Sequence, residues 1–232
     1  MSTSPDKTTW TAVDTYTLTH SHPPSRPNSS ILSSTLTTSH HSNLPNIAAS
    51  HAQAKFLALF LRATNTTTAL EIGTLGGFTS IFLASENPQL KITTVEVNPE
   101  HAGVARRNIT AAGLEGRIEV ILGAGVDVLA KIKEDVVTGK REKFGFVFID
   151  ADKENNWNYF DVAAGITRSK GVVVVDNVVR GGRVVEEGVT DTRILGARRV
   201  IEEVGRDGRV DSVVLQTVGE KGYDGWLWAV VN

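Results

Sequence analysis

The spacing of apolar residues along the chain switches repeatedly between a period that suits a helix and one that suits a buried strand. Residues 48–61 carry apolar side chains at helical spacing, residues 69–73 (Ala-Leu-Glu-Ile-Gly) read as a short strand halted by glycine, and residues 78–84 return to a helix. Residues 92–97 form a second predicted strand. Asn98, Pro99 and Glu100 then supply an N-cap, a first-turn proline and a first-turn acid. In the helix that follows, Ala102, Ala105, Ile109 and Ala112 lie at helical spacing and Gly113 ends the turn. Further strands are predicted at 118–122, 144–149 and 171–175. The last two are apolar without alternation, as strands covered on both faces must be. Strands separated by helices imply right-handed crossovers and a parallel sheet. Residues 210–215 and 226–231 flank a turn, 219–225, too short for a helical crossover, so that pair must be antiparallel.

The composition changes once. Residues 15–43 hold 14 Ser or Thr, and five of the six histidines lie at or before His51. Residues 1–45 therefore read as an irregular or short-helical arm, a natural lid over the site, and 46–232 as the catalytic-type domain. His20, His22, His40 and His41, scattered through a Ser/Thr-rich arm without fixed spacing, read as solvated side chains. Trp157, Tyr159, Trp226 and Trp228 read as packing residues.

In an open parallel sheet, ligands bind in the crevice outside the carboxyl ends of the strands. The unusual polar residues of this chain fall there. The first strand ends in Glu71-Ile72-Gly73-Thr74-Leu75-Gly76-Gly77, the second in Glu96, the third in Gly123-Ala124-Gly125, the fourth in Asp150-Ala151-Asp152-Lys153 and the fifth in Asp176-Asn177. Glycines after the first strand allow close approach of backbone to a ligand, but their spacing is not the G-x-G-x-x-G of a pyrophosphate binder. Glu96, 23 residues past Gly73, stands where an acid accepts the hydroxyl protons of a ribose. A nucleoside cofactor without a helix-bound pyrophosphate favours S-adenosylmethionine over NAD. Asp150, Asp176 and Asn177 offer only oxygen and meet at one point if the fourth and fifth strands are neighbours, a set suited to Mg²⁺, Mn²⁺ or Ca²⁺. Lys153, three residues after Asp150, can aim its amine at the same spot.

Charge and composition narrow the classes. With 24 Lys+Arg against 26 Asp+Glu, the net charge of -2 gives no electrostatic footprint for nucleic acid. No cysteine is present, which excludes disulfides, thiolate metal sites and cysteine nucleophiles. No apolar run approaches a membrane span, and the amino terminus lacks the apolar core of a signal peptide, so the expected location is cytoplasmic.

The segments LEIGTLGGFTS (70–80), VEVNPEHAGVARRNI (95–109), FVFIDADKENNWNYF (146–160), VVVVDNVVRGG (172–182) and LQTVGEKGYDGW (215–226) together resemble the cation-dependent class I O-methyltransferases, the caffeoyl-CoA and catechol O-methyltransferase family, and most of all its bacterial and fungal small-molecule branch. The resemblance implies a Rossmann-like α/β fold: a mostly parallel seven-stranded sheet with an antiparallel last strand and helices on both faces. It implies an S-adenosylmethionine site made by Ala49, Glu71, Gly73, Thr74, Thr79, Glu96, Ala124 and Asp150, and a divalent metal on Asp150, Asp176 and Asn177. Lys153 matches the lysine proposed as general base in the catechol enzymes. A phenolic small-molecule substrate and a homodimer are implied as well. Departures from the family pattern are Ala54 for a usual Gly, Phe78-Thr79 for a usual Tyr-Ser, and Gly181 for an Asn that plant enzymes use on substrate. Two other classes remain open on sequence: a nicotinamide-dependent oxidoreductase, and a non-catalytic methyltransferase-like interaction protein.

Overall fold

The computed structural model describes residues 6–232; the first five residues of the arm lie outside the described residues. Seven strands form one sheet in the order β3-β2-β1-β4-β5-β7-β6. They are β1 (Thr68–Ile72), β2 (Lys91–Glu96), β3 (Ile118–Leu122), β4 (Phe144–Ile149), β5 (Thr167–Val175), β6 (Val210–Gly219) and β7 (Gly222–Val231). The first five pair in parallel, while β7 runs antiparallel to both β5 and β6. The sheet thus has the predicted architecture, and β4 and β5 are neighbours.

Among the described residues there are eight α-helices: α1 (Lys7–Ser21), α2 (Ser29–His41), α3 (His51–Ala63), α4 (Phe78–Glu86), α5 (Pro99–Ala111), α6 (Gly125–Val137), α7 (Asn156–Ile166) and α8 (Thr192–Val204). Local chemistry sets several starts. Ser50 and Gln53 close a reciprocal capping box on α3, and the Asn98 side chain accepts the Glu100 and His101 N–H groups at the head of α5. Side-chain alternation along the buried strands divides the interior into two cores. Phe146 and Phe148 of β4 pack with Leu57 of α3 and Phe82 of α4, whereas Val147 and Ile149 pack with Leu129 of α6 and Phe160 of α7.

The largest shifts from the predicted boundaries are at the hairpin and at β5. The expected seven-residue turn 219–225 is a two-residue turn, Glu220-Lys221, because the hairpin ladder continues to the Gly219–Gly222 pair. Glycine and acid there lower strand propensity without preventing cross-strand pairing. β5 begins at Thr167 rather than 171, through a polar stretch that an apolar-run reading passes over.

Of the two alternatives for the amino-terminal arm, irregular or short-helical, the structure has the helical one, in α1 and α2. Its hydroxyls are satisfied inside the helix: Thr11 donates to the Lys7 carbonyl, Thr35 to Ile31 and Ser39 to Thr35, each at 2.8 Å. α1 has no buried residue, whereas α2 buries Leu32 and Thr35. Of the four histidines read as solvated, His20, His40 and His41 are exposed, but the His22 side chain is only 4% accessible. The linker carrying it folds over the end of α4, where Asn28 donates to Ser85 and Glu86 and the His22 ring lies 5.2 Å from that of Phe82. Burial makes His22 harder to protonate.

Candidate active site

The chain builds the sheet outward from β1 to β3, then returns to place β4 on the other side of β1, so the topological switch point lies between β1 and β4. Register brings the strand ends together there: Ile72 pairs with Ile149, and Ile149 with Val175. The residues that follow, Gly73, Asp150 and Asp176, therefore open on one crevice. The Asp150 N–H donates to the Ile72 carbonyl at 2.8 Å and the Asp176 N–H to that of Ile149 at 2.9 Å.

The glycine turn is shaped by protein neighbours, a different reason from the ligand approach expected of it. Gly73 has φ +100°, and a Cβ there would lie 2.1 Å from the Asp150 carbonyl oxygen. A Cβ at Gly76 would lie 2.1 Å from the Ser39 hydroxyl of α2, so the arm helix packs directly on this turn.

Glu96 is buried and tied to the same turn. Its Oε2 accepts the N–H groups of Thr74 at 3.2 Å and Leu75 at 2.8 Å, and its Oε1 accepts that of Asn98 at 2.9 Å. Oε1, with the single backbone donor, retains capacity for a hydroxyl partner. Glu71 lies deeper. Ser80 and Thr94 donate to its Oε2 at 2.5 and 2.7 Å, and Thr94 also contacts the Thr74 hydroxyl at 2.6 Å. Burial, reinforced by Asp150 and Glu96, pushes the Glu71 carboxyl up to about 7.

That rise has a stability consequence. Folded Glu71 keeps its proton to higher pH than the unfolded chain does, so its contribution is complete below the ordinary value of 4.5 and is lost as pH rises through about 7. Glu71→Gln mimics the protonated form and should remove this dependence. Urea unfolding should find the variant close to wild type at pH 4.5 and more stable by up to about 3 kcal/mol at pH 8. A parallel pH profile in the two proteins would contradict the assignment.

At the ends of β4 and β5, Lys153 Nζ donates to Asp150 Oδ1 at 2.8 Å. Asp176 is buried, and its Oδ1 accepts the Asn177 N–H at 2.7 Å and the Trp226 indole N–H at 2.8 Å. Desolvation and the nearby Asp150 charge raise the Asp176 carboxyl to about 7. Asn177 turns the chain out of β5 with φ 59°. Among the described residues no group of three or more His, Asp or Glu is arranged to hold a metal. The predicted ligand set is two carboxylates and an amide, and its chemistry fits a hard cation: a buried carboxylate raised by a second one is the arrangement a divalent charge relieves.

The remaining predicted cofactor residues lie at the glycine turn, in α4, before α6 and ahead of α3. Thr74 and Thr79 are buried at the glycine turn and in α4, and Ala124 is the exposed residue before α6. Ala49 is buried ahead of α3 and lines a separate opening, a cavity of about 610 Å³ shared with Phe56, Asp176, Asn177 and Trp226. Asp14 of α1 also reaches this cavity, where its Oδ2 accepts the Glu220 N–H at 2.8 Å. Lys221 donates to Asn46 at 3.1 Å across the rim. Asp14, Phe56 and Trp226 were not among the predicted site residues. A second cavity, about 310 Å³, lies at the amino-terminal ends of β1 to β4, around Lys91, Arg117 and Arg141.

A strand-end crevice with acid, amide and lysine groups beside an aromatic-walled cavity can seat a nucleoside-type methyl donor and an acceptor together. The O-methyltransferase family model matches residues 23–222. The chain belongs to the O-methyltransferase family. It is 50% identical over 225 residues to O-methyltransferase imqG of Aspergillus flavus, covering 96% of this chain and 91% of that one. It is 42% identical over 202 residues to a catechol O-methyltransferase of Mycobacterium tuberculosis, covering 87% and 88%. The solved O-methyltransferase from Bacillus cereus in complex with SAH superposes with a TM-score of 0.89 at 40% identity, covering 97% of this chain and 100% of that one. Membership of this O-methyltransferase family removes the nicotinamide-dependent and non-catalytic alternatives. Among the described residues no helix is long and apolar enough to cross a membrane.

Proposed function

We propose that the protein transfers a methyl group from S-adenosylmethionine to a hydroxyl of a catechol-like phenolic small molecule, with a divalent cation, Mg²⁺ before Mn²⁺ or Ca²⁺, held by Asp150, Asp176 and Asn177. The observation that carries this reading is the Lys153–Asp150 pair beside buried Asp176, which with Asn177 lines a cavity walled by Phe56 and Trp226. A divalent ion at those oxygens would supply positive charge that favours the phenolate form of an acceptor whose ordinary pKa is about 10.

The chain's own residues do the rest. Glu96 holds the donor's ribose, and Phe56 and Trp226 flank the acceptor ring. Lys153 donates to Asp150 at 2.8 Å, so its amine stands beside the proposed metal oxygens, either to take the phenol proton or to stabilise the phenolate. The phenolate oxygen attacks the sulfonium methyl in line as the carbon–sulfur bond breaks, leaving neutral S-adenosylhomocysteine; alignment at roughly 3 Å is the main demand on the site. The reading also includes the amino-terminal arm, residues 1–45, as a lid, with Asp14 of α1 reaching the acceptor cavity, a homodimer, and a cytoplasmic setting. Exposed Leu59 on α3 and Val213 on the edge strand β6 support the homodimer, which a monomer mass in light scattering would contradict.

The direct test is transfer of labelled methyl from S-adenosylmethionine to a catechol acceptor with Mg²⁺ or with excess EDTA. Transfer that survives the chelator would overturn the metal reading. Transfer absent under all conditions would overturn the acceptor class. The ribose role is separable from both: Glu96→Ala should weaken S-adenosylmethionine binding by roughly 1.5–3 kcal/mol, the scale for losing a hydrogen bond to a charged group. Unchanged affinity in a calorimeter would remove Glu96 from the donor site.

A further inference from the structure

Asp176 accepts a hydrogen bond from the indole N–H of Trp226, a contact that the reaction as described leaves unassigned. Leu227 of β7 pairs with Val175 of β5, so Trp226 lies opposite Asp176, one step beyond the last paired residues. Alternation along β7 sends Leu227 and Ala229 into one core and Trp226 into the other, the side on which Phe148 and Phe56 lie. The indole is therefore fixed on two sides by aromatic rings, at centroid separations of 5.7 Å from Phe56 and 6.5 Å from Phe148, and its N–H meets Asp176 Oδ1 at 2.8 Å. The backbone is fixed too, since a Cβ at the preceding Gly225 would lie 2.5 Å from Val179 Cγ2.

The same strand holds the loop that follows Asp176. Asp224 Oδ1 accepts the N–H groups of Val179 at 3.0 Å, Arg180 at 2.8 Å and Gly225 at 2.9 Å. One end of β7 thus clamps both Asp176 and the chain after Asn177, using Trp226 on the carboxylate and Asp224 on the backbone. With Oδ1 committed to the Trp226 and Asn177 N–H groups, Oδ2 is the Asp176 oxygen left for another partner.

We infer that Trp226 is a positioning residue for the cation site: its indole N–H orients Asp176 so that a single carboxylate oxygen faces the crevice, while its ring forms part of the acceptor wall. This rests on the metal reading above. Hydrogen-bond partners of metal-ligating carboxylates typically tune metal affinity by 10–100-fold.

Trp226→Phe keeps an aromatic ring and removes the N–H. Mn²⁺ binding to the full-length protein, read by electron paramagnetic resonance, should weaken by roughly 10–100-fold in the variant, with S-adenosylmethionine affinity unchanged. The wild type supplies a second readout that needs no variant: among its four indole N–H signals in a ¹⁵N-tryptophan spectrum, one should move on addition of Mg²⁺. Wild type that binds Mn²⁺ beside a folded variant that binds it equally well would overturn the role of Trp226 alone. Wild type that binds no Mn²⁺ would overturn the metal reading, and the positioning role with it. If Trp226→Phe does not fold, four indole signals unmoved by Mg²⁺ overturn the role and one that moves supports it.

Discussion

Asp176→Ala should abolish methyl transfer to a catechol-type acceptor, by about a thousandfold or more, while S-adenosylmethionine still binds. The size follows from the several kcal/mol that a divalent charge contributes to stabilising developing phenolate. Selectivity follows from placement: Asp176 lies with Asn177 on the acceptor cavity, whereas Glu71, Thr74 and Glu96 gather about the glycine turn. The unloaded site also carries a pH signature. Folded Asp176 is raised from the ordinary 3.8 to about 7, so its contribution to stability is complete below 3.8 and is lost as pH rises through about 7. Mg²⁺ favours the ionised form and should restore stability selectively near pH 8 in wild type and not in Asp176→Ala. Thermal unfolding at pH 5 and pH 8, with and without Mg²⁺, measures this. Robust transfer by Asp176→Ala would leave Lys153 to act without a cation.

Much of this arrangement was legible along the chain because the parallel strands are short, apolar and abruptly ended. A run such as Phe-Gly-Phe-Val-Phe-Ile followed by Asp150 has one sensible reading, and the observed strand Phe144–Ile149 coincides with the expected one. Asp150 and Asp176 converge because β4 and β5 are neighbours, the condition on which their pairing rested. Other features depended on contacts that no local pattern encodes. Gly76 looks like ligand-approach chemistry, yet the space it leaves is taken by Ser39, 37 residues earlier in the chain. His22 carries no local mark of burial, since only the docking of its linker onto Glu86 and Phe82 covers it. Trp226 became a partner of Asp176 through the insertion of β7 between β5 and β6, which spacing along the chain does not reveal.

The two arm helices should respond oppositely to removal, because one is packed into the core and the other is latched over the cavity. α2 contributes Leu32, fully buried against the core that contains Phe82 and Leu57, and Ser39 fills the space above Gly76. Leu32→Ala should therefore destabilise the fold by about 2–5 kcal/mol, the range for emptying a buried leucine site. α1 buries no residue, and its tie to the hairpin is Asp14 Oδ2 accepting the Glu220 N–H at 2.8 Å. The fit at that latch is close: a Cβ at Gly219 would lie 2.6 Å from the same oxygen. Deleting residues 1–21 should leave the urea midpoint within a small margin of wild type. It should also raise KM for the acceptor by about tenfold, since one wall of the cavity is lost; that factor corresponds to about 1.4 kcal/mol of binding. Gly219→Ala should move KM in the same direction with α1 intact, because it displaces the Asp14 carboxylate without shortening the chain. An α1-deleted protein with unchanged acceptor KM would show that Asp14 and its helix decorate the cavity without closing it.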